Sequence, residues 1–436
     1  LEDLRSGQRS DWLSVGLPGR IVDWRTEFRR STALTALAIV VLAGCSRTVP
    51  GTADLAPAQP AATVDPGALN PGSYPTVSVP PLGNAGSEEA GRLVEGRRMA
   101  NYVVGPWQAE PGVTDSRRTG ALVIGQVNQL GAILWPEVIA RSWPQPFIVA
   151  FSSERRRTDS KGPSVLRNAV LRYATADAAA AAAQSMASAA LTAPAVVNSD
   201  SPIAAEPVRS VPIPGHADLN GALATRRDDD RTVQELTVIS AHGPYVLVQA
   251  AQSQDPDRAA ALTGRLLDLQ APLIDGFQPT DPSRLADVPL DPTGLVARTL
   301  PLKQGQGDSM SNAAYDPAGA LHLEDNPIQA AQAFTDTGVD VVSISQTTVY
   351  RAGDPDGARR LAQSLGDATA QRPASQPAPA VPGLPGSRCV RIDGEGGLVP
   401  RYSCIAAADR FAFKAVARDE NNVHQQMAAQ YLILTR

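Results

Sequence analysis

Residues 170–186 read "VLRYATADAAAAAAQSM", and residues 349–365 read "VYRAGDPDGARRLAQSL". Laid over one another, they place Asp177 opposite Asp356 and Ala183–Met186 opposite Ala362–Leu365, at one constant offset. Further on, "VPIPG" at 211–215 answers "VPGLPG" at 381–386. In an alanine-rich chain the Ala-Gln-Ser match carries little alone. The shared order of features carries the inference, which is an internal duplication.

Each copy continues with the same pattern. The first runs "TVQELTVIS", turn "AHGP", "YVLVQAA", then "DPDRAAALTGRLLDLQ"; the second runs "RYSCIAA", turn "ADR", "FAFKAVA", then "NNVHQQMAAQYLIL". Alternating apolar and polar residues suit half-buried strands. Leu262, Leu266 and Leu269 share one helix face, as do Val423, Met427 and Tyr431. Each unit is therefore expected to be β-α-β-β-β-α, and the chain an α+β protein with antiparallel sheets covered by helices. The units are assigned to residues 87–280 and 281–436. Whether residues 87–160 complete the first copy is open at this stage. They include a helix signal, "SEEAGRLVEGRRMANYVV", with a serine cap and early acids, and a strand at Phe147 to Phe151.

The second copy holds two of the three cysteines, Cys389 and Cys404, on either side of "GEGGLVP". Their midpoint falls between Gly396 and Gly397, where a hairpin turn sets them opposite each other on adjacent strands. Cross-strand neighbours of that kind come close enough for a disulfide.

The third cysteine, Cys45, ends a different pattern. Arg25, Arg29 and Arg30 precede the uncharged run Ser31 to Leu42, followed by Ala43, Gly44 and Cys45. A basic segment, a short apolar core and small residues before a cut form a secretory signal peptide. The run is too short to span a bilayer. Leu-Ala-Gly-Cys resembles the lipobox of bacterial lipoproteins, which implies cleavage between Gly44 and Cys45 and lipidation of the Cys45 thiol. An acylated cysteine with more than one chain is a stable anchor. Residues 1–44 are thus assigned to the leader, the first 21 of them upstream of an expected non-Met start near Val22. Residues 45–86, "PGTADLAPAQPAATVDPGALNPGSYPTVSVPPLGNAG" for the most part, are rich in proline without apolar periodicity. They read as a disordered spacer.

Composition excludes some functions. The formal charge is −5, with no basic stripe for nucleic acid and no block of like charge. Only three of the 39 basic residues are lysines, a bias that fits a GC-rich genome. The four histidines, His216, His242, His322 and His424, have no ligand partner at helical spacing, so neither a metal nor a cofactor is expected. "GDSM" at 307–310 lacks the downstream Asp-x-x-His of Gly-Asp-Ser lipases, and reads as a polar loop. "DPDG" at 354–357 reads as a helix cap rather than a calcium loop. "RRDDDR" at 226–231 reads as a hairpin end, and "ERRRTD" at 154–159 as an exposed loop that could meet anionic polymer or headgroups.

Together the lipobox, the spacer and "GSEEAGRLVEGRRMANYVVGPWQ" at 86–108 resemble a group of actinobacterial, chiefly mycobacterial, lipoproteins whose globular part is a domain of unknown function. The resemblance spans residues 40–436 and implies a role only for Cys45. The disulfide hairpin behind a stem is also distantly similar to envelope sensor domains, an analogy of fold alone. The expectation is a non-enzymatic lipoprotein on the extracytoplasmic face of the plasma membrane. It binds a lipid, glycan or peptide in a cleft between the two copies. An envelope scaffold with a protein partner is the alternative, and a hydrolase with scattered catalytic residues a third reading.

Overall fold

The computed structural model describes residues 63–157, 165–192, 207–228, 231–303, 305–394 and 399–436. Cys45, the leader and the first part of the spacer lie outside them.

The first half begins with α1 (Glu88–Met99) and a single-turn α2 (Pro106–Ala109). Then come β1 (Asp115–Ile124), α3 (Pro136–Ser142), β2 (Phe147–Arg156) and β3 (Val165–Tyr173). After α4 (Ala176–Thr192) follow β4 (Arg209–Ile213), β5 (His216–Asp228), β6 (Arg231–His242), β7 (Tyr245–Gln252) and α5 (Pro256–Ile274). The second half repeats the order. It has β8 (Ala313–Tyr315), a short α6 (Pro317–Ala320), α7 (Pro327–Thr337), β9 (Val341–Ile344) and β10 (Thr347–Arg351). Then come α8 (Pro355–Ala370), β11 (Ser375–Ala378), β12 (Arg388–Ile392), β13 (Arg401–Ala408), β14 (Phe411–Ala417) and α9 (Glu420–Thr435).

Each half builds one antiparallel seven-stranded sheet. The orders are β1-β2-β3-β7-β6-β5-β4 and, read from the same end, β8-β9-β10-β14-β13-β12-β11. Strand for strand these are one topology, so the chain is α+β and duplicated. The unit is larger than the expected β-α-β-β-β-α. Two strands precede it in each half, and four strands, not three, follow its first helix. The extra strands, β4 and β11, are short and mostly exposed on a sheet edge, so they carry little apolar signal. Residues 87–160 complete the first copy, because β1 and β2 are the counterparts of β8 and β9.

Local chemistry explains the helix starts. Asp255, Asp354 and Asp419 each cap a helix, their side chains accepting from Asp257, Gly357 and Asn422 amides respectively. A side-chain oxygen at this position satisfies an amide with no partner inside the helix. "DPDG" is thus a cap. At the tight β13–β14 turn Asp409 takes φ 50°, a left-handed conformation that aspartate tolerates better than bulky residues.

Both faces of each sheet are covered. On the first sheet, Val149, Phe151, Val170 and Leu247 pack under α1, α2 and α5, and Ala150, Ala169, Leu171 and Val248 pack under α3 and α4. That explains why β2 is buried along nearly its whole length rather than alternating. On the second sheet α8 lies on one face, while α9 covers Val349, Phe413 and Ala415 on the other. The α5 face of the first half and the α8 face of the second merge into one apolar cluster. These are not equivalent faces, so the copies stack in tandem and no two-fold axis relates them.

The spacer reading is corrected from residue 63 onward. Leu69 is buried against the second half, and the Asp65 amide donates to Gly383 O at 2.9 Å. Tyr74 Oη donates to Asn422 Oδ1 at 2.7 Å, and Val79 N donates to Ala297 O at 3.0 Å. Asn84 bridges to Pro289. The segment 63–86 is a strap across the second half. Its prolines hold it extended at little entropic cost, and contacts from distant sequence supply the burial that its own composition lacks.

Candidate functional site

α1 is the element from which the site is built. Ser87 caps it, Glu88 and Glu89 occupy its first turn, and Arg97 and Arg98 its last, an arrangement that suits the helix dipole. Gly91 lets it approach the turn at 282–287 so closely that a Cβ there would lie 2.0 Å from Leu285 O. Val94, Arg97 and Arg98 then face a groove whose other wall is the connector between the halves, from Thr280 to Pro292. Ala313 and Ala314 of β8 close its end. The cavity is about 560 Å³, within the range of small-molecule sites.

A fully buried carboxylate organises this wall. Glu95 accepts from Arg172 at 2.6 Å, from Arg98 at 2.6 Å, and from the Thr280 amide and hydroxyl at 2.8 and 2.9 Å. A buried charge this well paired is tolerated, and here it fixes Arg98 and Thr280 at the groove. Arg97 is held differently. Its Nε and Nη2 donate to Ser309 O and Ser311 O, both at 2.9 Å. Ser309 Oγ in turn accepts from Val123 N at 3.0 Å. The "GDSM" serine is therefore a docking contact between the halves.

The junction behind the groove is closed by His322. Its ring is buried against Trp107 and Phe151, with centroids 5.1 and 5.0 Å away. Nδ1 lies 2.8 Å from Ser153 Oγ, and Nε2 lies 3.2 and 3.0 Å from Ala100 O and Val103 O. Two carbonyls at Nε2 place the proton there, so Nδ1 accepts from the serine. Burial, with the Arg155 guanidinium close by, pushes the His322 pKa down to about 3. A neutral imidazole of such low basicity is a poor general base, and Ser153 is wholly buried. The pair acts as a rivet. A smaller cavity of about 360 Å³ lies beside it, lined by Trp107, His322 and Ile328 among others.

The other sequence candidates are dispersed. His216 pairs with Asp268 at 3.1 Å, and His242 with Asp275 at 2.7 Å, on exposed surface. His424 Nε2 contacts Pro379 O at 3.1 Å beside the disulfide. Cys389 and Cys404 are bonded to each other as directly paired residues of β12 and β13, with Cα atoms 4.1 Å apart. "ERRRTD" is not an exposed loop over its described part. Glu154 and Arg155 are buried at the end of β2, and Arg155 donates to Thr114 O and His322 O. "RRDDDR" does join β5 to β6, with Asp228 opposite Arg231; its side chains lie outside the description. A buried Lys414–Glu324 pair at 3.0 Å, to which Tyr350 donates at 2.7 Å, sits inside the second half. Burial opposes the Lys414 charge, but Glu324, Tyr350 and Asp325 together outweigh it and hold the pKa above its ordinary value. Gly44 and Cys45, the expected cleavage and lipidation site, fall outside the described residues.

Sequence reasoning did not identify Glu95, Arg98, Thr280 or Arg284 as site residues. One signal was present: a glutamate between Val94 and Met99, on the face of α1 that carries its apolar residues.

Two adjacent models of one family cover this architecture. Residues 82–290 match the N-terminal part of a domain of unknown function, DUF7373, and residues 295–436 match its C-terminal part. The chain belongs to the DUF7373 family. The division between the family's two parts falls between residues 290 and 295, at the end of the connector that walls the groove and beyond the expected boundary at 280. No curated protein matches the chain. Among solved structures, the extracellular domain of PknH from Mycobacterium tuberculosis is similar at 15% identity, over 40% of this chain and 94% of that one, with a TM-score of 0.25. A likeness at that level carries no function across. Among the described residues, no helix is long and apolar enough to cross a membrane.

Proposed function

We propose that this DUF7373 protein is a cell-envelope lipoprotein, held through Cys45 to the extracytoplasmic face of the membrane, that binds a ligand at the junction of its duplicated halves. The observation that carries the binding reading is the groove between α1, the 280–292 connector and β8, with three arginines and two aspartates beside an apolar wall. It is preorganised: Glu95, Ser309 and Ser311 fix the arginines from behind. The signal-peptide and lipobox pattern supports the location, and so does a disulfide, which persists in oxidising compartments.

The halves do not part into the open cleft expected between two copies. They share a core, and the groove opens on one flank of it. A binding protein is the better reading than a hydrolase. The serine–histidine pair that the fold brings together is buried, and its histidine is held far below useful basicity. Native mass spectrometry of protein purified from its own envelope tests the proposal. A co-purifying small molecule, lost from a Leu290→Trp variant that fills the groove, supports it. A stoichiometric protein partner and no small molecule would favour the scaffold reading instead.

A further inference from the structure

Three metal-binding side chains meet in the second half, distinct from the residues that line the groove. Cys389 and Cys404 face each other across β12 and β13, and His424 reaches them from α9. Its Nε2 lies 4.0 Å from Cys389 Sγ. The two sulfurs and a ring nitrogen all lie within 4.8 Å of one another. Both cysteines are buried and His424 is half-buried. The cysteines belong to the apolar cluster that also holds Val423, Met427 and Leu69 of the strap. No helical spacing announces this set, because β12, β13 and α9 contribute one residue each.

While the sulfurs are bonded to each other they offer no thiolate, so the oxidised protein has no metal site here. An external dithiol changes that. It supplies two electrons and two protons, becomes a disulfide itself, and leaves Cys389 and Cys404 as thiols. Two thiolates and an imidazole are a donor set for zinc. Zn–S bonds of about 2.3 Å and Zn–N bonds of about 2.0 Å set tetrahedral ligand atoms roughly 3.5–3.8 Å apart. Cross-strand Cβ atoms stand about 4.5–5.5 Å apart, which accommodates sulfurs at that separation once their bond is broken. We infer that Cys389, Cys404 and His424 form a latent zinc site, opened by reduction of the disulfide. On binding, both thiols release their protons to solvent. His424 moves its proton from Nε2, where it donates to Pro379 O at 3.1 Å, to Nδ1. Water takes the fourth position, as in other three-ligand zinc centres. Thiols in apolar surroundings ionise poorly, so it is the ion that stabilises the two thiolates.

Metal binding by the full chain carrying Cys45→Ala, which leaves Cys389 and Cys404 as the only cysteines, tests the site. The protein is compared as isolated and after treatment with dithiothreitol followed by its anaerobic removal. The reduced protein should bind one Co2+ per chain with a thiolate-to-cobalt charge-transfer band that zinc abolishes. The oxidised protein should show no band. His424→Ala should weaken zinc binding to the reduced protein at least about tenfold, since even groups that only support a metal ligand are worth that much. Zinc should also raise the melting temperature of the reduced protein and leave that of the oxidised protein unchanged. That readout holds even where reduction loosens the fold, because binding then restores it. A reduced protein with neither the band nor the melting shift would overturn the site. Equal zinc affinity in His424→Ala would overturn the three-ligand set, and a band in the oxidised protein would place the metal elsewhere.

Discussion

Gln270 on α5 and Gln430 on α9 make the same three hydrogen bonds in the two halves of the molecule. Gln270 Oε1 accepts from Val104 N at 2.9 Å and Asn168 Nδ2 at 2.7 Å, and its Nε2 donates to Tyr102 O at 2.8 Å. Gln430 Oε1 accepts from Leu300 N at 2.7 Å and from Thr347 Oγ1, and its Nε2 donates to Arg298 O at 2.9 Å. Asn168 and Thr347 stand at the offset that relates the two quoted segments. In each half a C-terminal helix thereby clamps the chain where it enters the unit. Replacing either glutamine by leucine strands a buried amide and a strand side chain, at a cost of about 1–3 kcal/mol each. The pairs share no partner, so the double variant should lose the sum of the two within about 0.5 kcal/mol. Urea unfolding of the two single variants and the double variant measures this.

The clamps also show what was legible in the sequence. The duplication could be read because α4 and α8 retain an Asp and an Ala-Gln-Ser at one spacing, and because strand and helix periods survive in both copies. The glutamines could not be matched, because the segments between the quoted strands and the final helices differ in length, so one offset does not relate them. The disulfide was legible because a hairpin fixes pairing from local spacing. The groove was not, since its residues come from positions 94–98, 280–292 and 313–314, and only the tandem stacking brings them together. The strap failed for a similar reason. Proline-rich composition predicts no self-burial, but Leu69 and Tyr74 borrow their burial and bonds from α9 and the second sheet.

Acid should unfold the protein partly through His322. Its folded pKa of about 3 lies below the ordinary value of 6.5, so between these values the unfolded state binds a proton that the folded state refuses. Stability is fully present above pH 6.5 and falls as the pH drops toward 3, by up to about 1.4 kcal/mol per pH unit from this group. Between pH 6.5 and 5, where carboxylates contribute least, His322→Gln should flatten the dependence of the urea midpoint on pH. An unchanged slope would mean the ring is not excluded from protonation.

The disulfide should matter more to stability than to shape. Cys389 and Cys404 close a loop of 15 residues between adjacent strands that are already paired in register. The chain-entropy model assigns such a loop about 3 kcal/mol, acting through the unfolded state. Replacing both cysteines by alanine should lower the unfolding free energy by roughly that amount while leaving the far-ultraviolet circular dichroism unchanged. Loss of β signal before the transition would show that the bridge also holds the strands together.

α1 should tolerate no side chain at Gly91. A Cβ would meet Leu285 O at 2.0 Å and Leu285 C at 2.5 Å, and these are backbone atoms that cannot rotate away. Alanine is ordinarily the better helix residue, so an exposed site would gain stability from the change. Here the helix must shift from the connector, and overpacking of this kind costs about 1–3 kcal/mol. A lower melting temperature for Gly91→Ala is the expected result. A raised melting temperature would show that the connector moves freely.

Removing the strap should loosen the groove wall before it unfolds the domain. Leu290 N donates to Gly83 O at 2.9 Å, Ala85 N to Val288 O at 2.8 Å and Gly86 N to Ala286 O at 2.9 Å. The strap is thus a short strand laid along the connector that lines the groove. Its earlier part covers α9, through Tyr74 on Asn422 and Gln426. A chain starting at Ser87 keeps every strand of both sheets, so it should fold, with α9 less protected. Its connector loses the Gly83 carbonyl that accepts from the Leu290 amide. Hydrogen exchange read by mass spectrometry should therefore accelerate at Leu290 and along α9 while β2, β3 and β7 keep their protection. If exchange at Leu290 stays slow without the strap, the connector holds itself. The segment before Ser87 would then be a spacer after all.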